Sequence, residues 1–197
     1  TSSTVAGWAT PANGTVTSVS AGTGLSVSNT GTNLFNGTVV VNGSNGGITL
    51  AGGTNTFAQN VTINATGTLT VSGGTTVFGA TRTVNTNGGA VSLTGSANTT
   101  FDANVTSGGG AWTVSSSGST TVNGAITGSG ALTKTGSGNL TFAASASYLG
   151  ATFLQGSGRV ILSGGGDNRL GLGPLTLASN AALQLGDGAG STSQTVG

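Results

Sequence analysis

Seven side chains carry all the formal charge of this 197-residue chain: Asp102, Asp167 and Asp187, and Arg82, Lys134, Arg159 and Arg169. Glu, His and Cys are absent. A Ser–His–Asp triad, a histidine or thiolate metal site and a cysteine nucleophile are therefore unavailable. What remains is carboxylate chemistry: a paired acid and base, or a carboxylate helped by Lys or Arg, as in sugar-cleaving enzymes. The spacing does not favour it. Asp102 and Asp167 are separated by about three coils of the repeat described below, or at least ~14 Å, too far for an acid–base pair. Asp167 and Asp187 could lie one coil apart, but they stand in GGDN and GDG, which are turn strings. GGGDN is similar to a calcium-binding nonapeptide, but such motifs must recur and this one occurs once. Gly-rich strings with no following helix do not make a phosphate cradle. The chain reads as a non-enzyme, with no catalytic residue, no metal ligand and no cofactor assigned.

The elements that would position any site are unusual in composition. Charged residues make up 4% of the chain and the net charge is +1, against about 25% charged in ordinary soluble domains. This gives no electrostatic basis for binding nucleic acid or an anionic membrane. No run approaches the ~18 apolar residues of a membrane-spanning helix. The first residues, TSSTVAGWAT, lack an initiator Met and a signal peptide, so a processed or excised, exported chain is expected. Low charge with 39 Gly is compatible with disorder, but abundant Thr and Val and a regular apolar spacing argue for order.

That spacing is a repeat. Short apolar pairs begin at Leu25, Ile48, Leu69, Val91, Trp112 and Leu132, at nearly constant intervals of about 21 residues. A second series runs Phe35, Phe57, Phe78, Phe101, Val122 and Phe142, and a third follows it closely at Val39, Val61, Val105 and Ile126. Arg82 interrupts the third series, and Val84 is read as taking over one period after Ile63. Each unit thus holds three short alternating segments, separated by Gly, Ser, Asn or Thr. Alternation signals strands and the interruptions signal turns. Three strands per unit predict a parallel β-solenoid with one coil per repeat and like residues stacked about 4.8 Å apart. Phe35, Phe57, Phe78, Phe101 and Phe142 are expected to form an internal aromatic stack. Inward positions should be apolar, and outward Thr, Ser and Asn should form ladders. Like charges in such ladders would repel, which accounts for their scarcity.

From residue 128 the string GSGALTKTGSGNLTFAASASYLGATFLQGSGRVILSGGGDNRLGLGPLTLASNAALQLGDG resembles the autotransporter-associated β-strand repeat, also called the passenger-associated transport repeat. The matching residues are Leu132, Thr133, Lys134, Gly136, Gly138, Leu140, Thr141, Tyr148, Gly150, Thr152, Gly158 and Val160. The usual Asn before Tyr is replaced in SASYLGAT by Ala146 or Ser147. The resemblance covers about the last third of the chain. It implies a right-handed parallel β-helix in an exported bacterial surface protein.

Trp112 occupies a position filled elsewhere by Leu, Ile or Val, and is expected in the core. Trp8, in TVAGWATPANG, has no evident rung. With Val5 it is assigned to assembly, as an anchor or end cap, so residues 1–20 form a cap or donor segment and 21–197 the solenoid. Eight Asn-x-Ser/Thr sequons, at Asn13, Asn36, Asn42, Asn60, Asn64, Asn98, Asn104 and Asn139, are the chance product of an Asn- and Thr-rich chain. Neither end carries a charged cap, and open solenoid ends template further pairing. The expected function is a structural subunit of an extracellular, bacterial cell-surface fibre, self-assembling end to end with further copies of itself. The alternative is a β-helical adhesin or passenger segment binding surface glycans, which would need an outward aromatic or polar stripe. Tyr148 and the two Trp are its aromatic candidates.

Overall fold

The computed structural model describes residues 8–9, 15–16, 19–21, 24–42, 46–64, 66–163 and 169–186. All regular structure among them is β-strand, and every strand pairing is parallel. One sheet runs through nine strands, from Trp8–Ala9 and Gly24–Val27 to Thr152–Leu154 and Leu175–Leu177. A second sheet of nine runs from Thr15–Val16 and Thr32–Phe35 to Arg159–Leu162 and Ala182–Leu185. A third of six runs from Val19–Ala21 to Ile126–Thr127. Up to Ile126–Thr127, successive strands belong to successive sheets, so each coil contributes one strand to each wall; after it, strands alternate between the first two sheets. The fold is a β-solenoid whose coil length matches the sequence period.

The strands are three or four residues long in most coils, and the residues between them turn the chain onto the next wall. Thr, Val and Phe suit the pleated, half-buried surface, and alternation puts every second side chain inside. The turns are tight because coil lies on coil. At one corner Gly67, Gly89, Gly110, Gly130 and Gly150 form a spine. A Cβ on Gly110 would sit 2.0 Å from the carbonyl oxygen of Gly89, and one on Gly130 would sit 1.8 Å from that of Gly110. Backbone meets backbone there, leaving no room for any side chain.

The register corrects one expectation. Val84 pairs with Val61 on one side and Val105 on the other, not with the Ile63 column. Arg82 therefore does not interrupt a column. Instead, the turn after Phe78 is longer than the turn after Phe57, and Thr81 adopts φ +60° to accommodate the extra chain. Arg82 lies in that turn and its Nε donates to Ala58 O at 3.2 Å.

A second correction concerns the interior. The first inward position of the second sheet is polar over five coils: Asn33, Asn55, Thr76, Thr99 and Thr120 are all buried. They stack in register and are followed by Leu140 and Val160. The expected apolar rule fails at the Asn33, Asn55 and Thr76 rungs, where small polar side chains one rung apart satisfy one another; the Thr99 and Thr120 hydroxyls find no such partner among the described residues. Asn33 Nδ2 donates to Asn55 Oδ1 at 2.9 Å, and Asn55 Nδ2 donates to Gly52 O at 2.9 Å.

Among the described residues the third wall ends early. After Ile126–Thr127 only an isolated bridge, Ile126 to Ala146, continues it. This is the point where the string resembling the autotransporter repeat begins. Tyr148, two residues beyond that bridge, is buried and its hydroxyl lies 2.6 Å from Thr152 Oγ1. Its ring lies against Gly171, where a Cβ would come within 2.5 Å of it.

Candidate functional site

The aromatic column lies on the inner face of the second sheet. Phe35, Phe57, Phe78 and Phe101 are fully buried. Their ring centroids are 4.3, 4.9 and 4.8 Å apart and their planes are within 16° of parallel. Those separations exceed the ~3.5 Å of face contact between carbons, so the rings are slipped, the arrangement their quadrupoles favour. Phe142 belongs to the same column but not to this stack. Val122 separates it from Phe101. Across the interior Phe101 meets Trp112 at 5.4 Å and 53°. Trp112 is buried, as expected from its position.

The outer surface holds coil to coil through amides. Asn60, Asn98, Asn104 and Asn139 each accept, through Oδ1, the backbone N–H of the next coil, from Thr83, Ser119, Ala125 and Arg159 respectively. Asn87 Nδ2 donates to Asn64 Oδ1 at 2.8 Å and Asn64 Nδ2 to Asn42 Oδ1 at 2.6 Å. Six of the eight sequon asparagines are therefore inter-coil clamps, a role that chance alone does not describe. The signal was visible as Asn recurring at turn positions at the coil period. Each such bond contributes about 0.5–1.5 kcal/mol net, and the solenoid gathers them along its length.

The charged side chains are dispersed. Asp102 accepts from Asn123 Nδ2 at 2.6 Å, again one coil on. Asp167 and Asp187 lie outside the described residues. Arg159 Nη1 donates to Gln184 Oε1 at 3.2 Å, and Arg169 Nη1 donates to Ser163 O. Lys134 points inward between Val114 and Leu154 and is fully buried. Its Nζ donates to Gly136 O at the corner. Burial lowers its pKa from the usual 10.5, because removal from water disfavours the ammonium. Tyr148 moves the other way: burial pushes its phenol up to about 12, against a smaller opposing effect from the Thr152 hydrogen bond.

Of the residues assigned to assembly, Val5 lies outside the described residues. Trp8 does have a rung: its backbone pairs with Leu25, and Ala9 with Ser26. The far end is where the core comes to the surface. Leu154 and Leu162 are 1% and 0% exposed, but their column neighbours one rung on, Leu177 and Leu185, are 47% and 53% exposed. The strands carrying them, Leu175–Leu177 and Ala182–Leu185, are the last in their sheets among the described residues. Among the described residues, two parallel sheets and two apolar columns thus have their last rung on one face of the solenoid. An edge of this kind templates further strand pairing. Comparison of the chain with known protein families, with characterised proteins and with solved structures finds no match.

Proposed function

We propose that this chain is a non-enzymatic, extracellular structural protein, a β-solenoid that stacks end to end with further copies into a surface fibre. One observation carries the reading: Leu177 and Leu185 occupy core columns yet are about half exposed on the terminal rung. Every inner rung of those columns is covered by the next coil. A further coil with the same register would bury both leucines and extend two sheets. Burying a leucine side chain contributes about 1.5–3 kcal/mol. A contact between the two different ends is heterologous and propagates instead of closing. The near absence of charge fits, since like charges stacked at every rung would oppose it.

The glycan-binding alternative loses support on the sides of the solenoid. Tyr148 and Trp112 are buried, so neither offers a ring for a sugar to stack on. Electron microscopy and sedimentation of the purified chain test the proposal. Nine rungs in each long sheet predict unbranched fibres with an axial repeat near ~43 Å from the ~4.8 Å strand spacing. Discrete rods that stay monomeric at high concentration overturn it.

A further inference from the structure

The first and last described rungs of the two long sheets carry the same columns, and this defines a register for a contact between them. At the first rung, Trp8 and Ala9 lie in the columns of Leu25 and Ser26, and Thr15 and Val16 in those of Leu34 and Phe35. Followed rung by rung, the Leu25 column reaches Leu175, the Ser26 column Thr176, the Leu34 column Gln184 and the Phe35 column Leu185. Among the described residues, the strands Trp8–Ala9 and Thr15–Val16 are the first in their sheets, as Leu175–Leu177 and Ala182–Leu185 are the last. The first and last described rungs of these two sheets therefore match in direction and in column.

We infer that a second copy of this chain docks with Trp8 on Leu175, Ala9 on Thr176, Thr15 on Gln184 and Val16 on Leu185. The inference rests on the fibre reading and adds the register and the residues of the junction. A slip by one residue would turn the inward columns outward against their partners, taking Leu185 from an apolar neighbour to a polar one. The third wall cannot take part in the same way. Val19–Ala21 is the first described strand of that sheet, and Ile126–Thr127 is its last among the described residues. The junction is made by two walls, like the described coil steps after Ile126–Thr127 and unlike the three-walled steps before it.

The absence of native Cys allows a direct test by cross-linking. Ala9→Cys combined with Thr176→Cys in one chain places thiols on facing strands of two copies, with the strands about 4.8 Å apart, inside the range a disulfide spans. An oxidant can reach the Thr176 position, which is exposed, as is Ser26, the column neighbour of Ala9. Within one chain the two positions are eight rung steps apart, about 38 Å, so every disulfide formed is intermolecular. Ala9→Cys combined with Gln184→Cys, on the neighbouring wall, is the out-of-register pair. Both double variants are run on non-reducing gels after mild oxidation, with electron microscopy of the same samples. The inference predicts a ladder of covalent multimers from the first pair, reversed by reductant, and none from the second. Fibres with cross-links only in the second pair, or in neither, overturn the register and leave the fibre reading standing. Monomeric rods with no ladder overturn both.

Discussion

Phe78 and Phe142 share one column, one amino-acid type and one degree of burial, each 1% exposed, yet they have different neighbours. Phe78 stacks on Phe57 at 4.9 Å and on Phe101 at 4.8 Å. Phe142 lies between Val122 and Leu162. Replacing each with Leu removes a similar amount of apolar surface, so the transfer and cavity costs largely cancel in the comparison. What does not cancel is ring stacking, about 0.5–1.5 kcal/mol per aromatic pair. Phe78→Leu breaks two pairs, so it should cost about 1–3 kcal/mol more than Phe142→Leu. Urea unfolding followed by far-UV circular dichroism measures both costs. In a solenoid each coil contacts only its neighbours, so the loss should appear as weakened coupling between the coils on either side of Phe78. Equal costs, within ~0.5 kcal/mol, would refute the reasoning: the column would then act only as apolar volume, and the ring geometry would contribute nothing.

Gly110→Ala should destabilise the chain by about 1–3 kcal/mol or more, because its Cβ would meet Gly89 O at 2.0 Å. Gly109→Ala, whose Cβ would meet only Ser129 Oγ at 3.6 Å, should stay within ~0.5 kcal/mol in the same unfolding assay. The hydroxyls of Thr99 and Thr120 are buried with no hydrogen-bond partner among the described residues. Thr120→Val should therefore be neutral or stabilising, and a clear loss of thermal stability would show that the hydroxyl is used. Stability should follow pH in two opposite ways. The Lys134 pKa is lowered by burial from 10.5, so the unfolded chain binds more protons there, and stability rises with pH until about the unfolded value. The Tyr148 phenol is raised to about 12, so its contribution is present below about 10 and lost between about 10 and 12. Thermal unfolding of Lys134→Met should lack the rise, and that of Tyr148→Phe should lack the fall.

The period was legible because coil length is written into the chain. Leu25, Ile48, Leu69 and Val91 recur at nearly constant spacing and pair in register. The shift at Arg82 was not legible. A lengthened turn looks like a break in a column unless pairing is seen, and the strands absorb it by moving only the turn. By hydropathy Asn33 and Asn55 count as outward residues, because composition alone cannot tell a solvated amide from one whose partner is a rung away. In the sequence Lys134 is only a motif residue. Its burial depends on the corner carbonyl of Gly136 lying within reach of a long side chain.

What the amino-acid sequence determined by itself was the architecture: strand and turn alternating with one constant period admits few folds other than a stack of coils. The tertiary structure decided what each column does. It made the asparagines clamps between coils and drew a polar ladder into the core. Among the described residues it carried the third wall no further than Thr127 and left Leu177 and Leu185 half exposed on the last rung. The physical reason is that a residue's role in a solenoid is set by its neighbours one rung away, a full coil distant along the chain, and only the register says which residues those are.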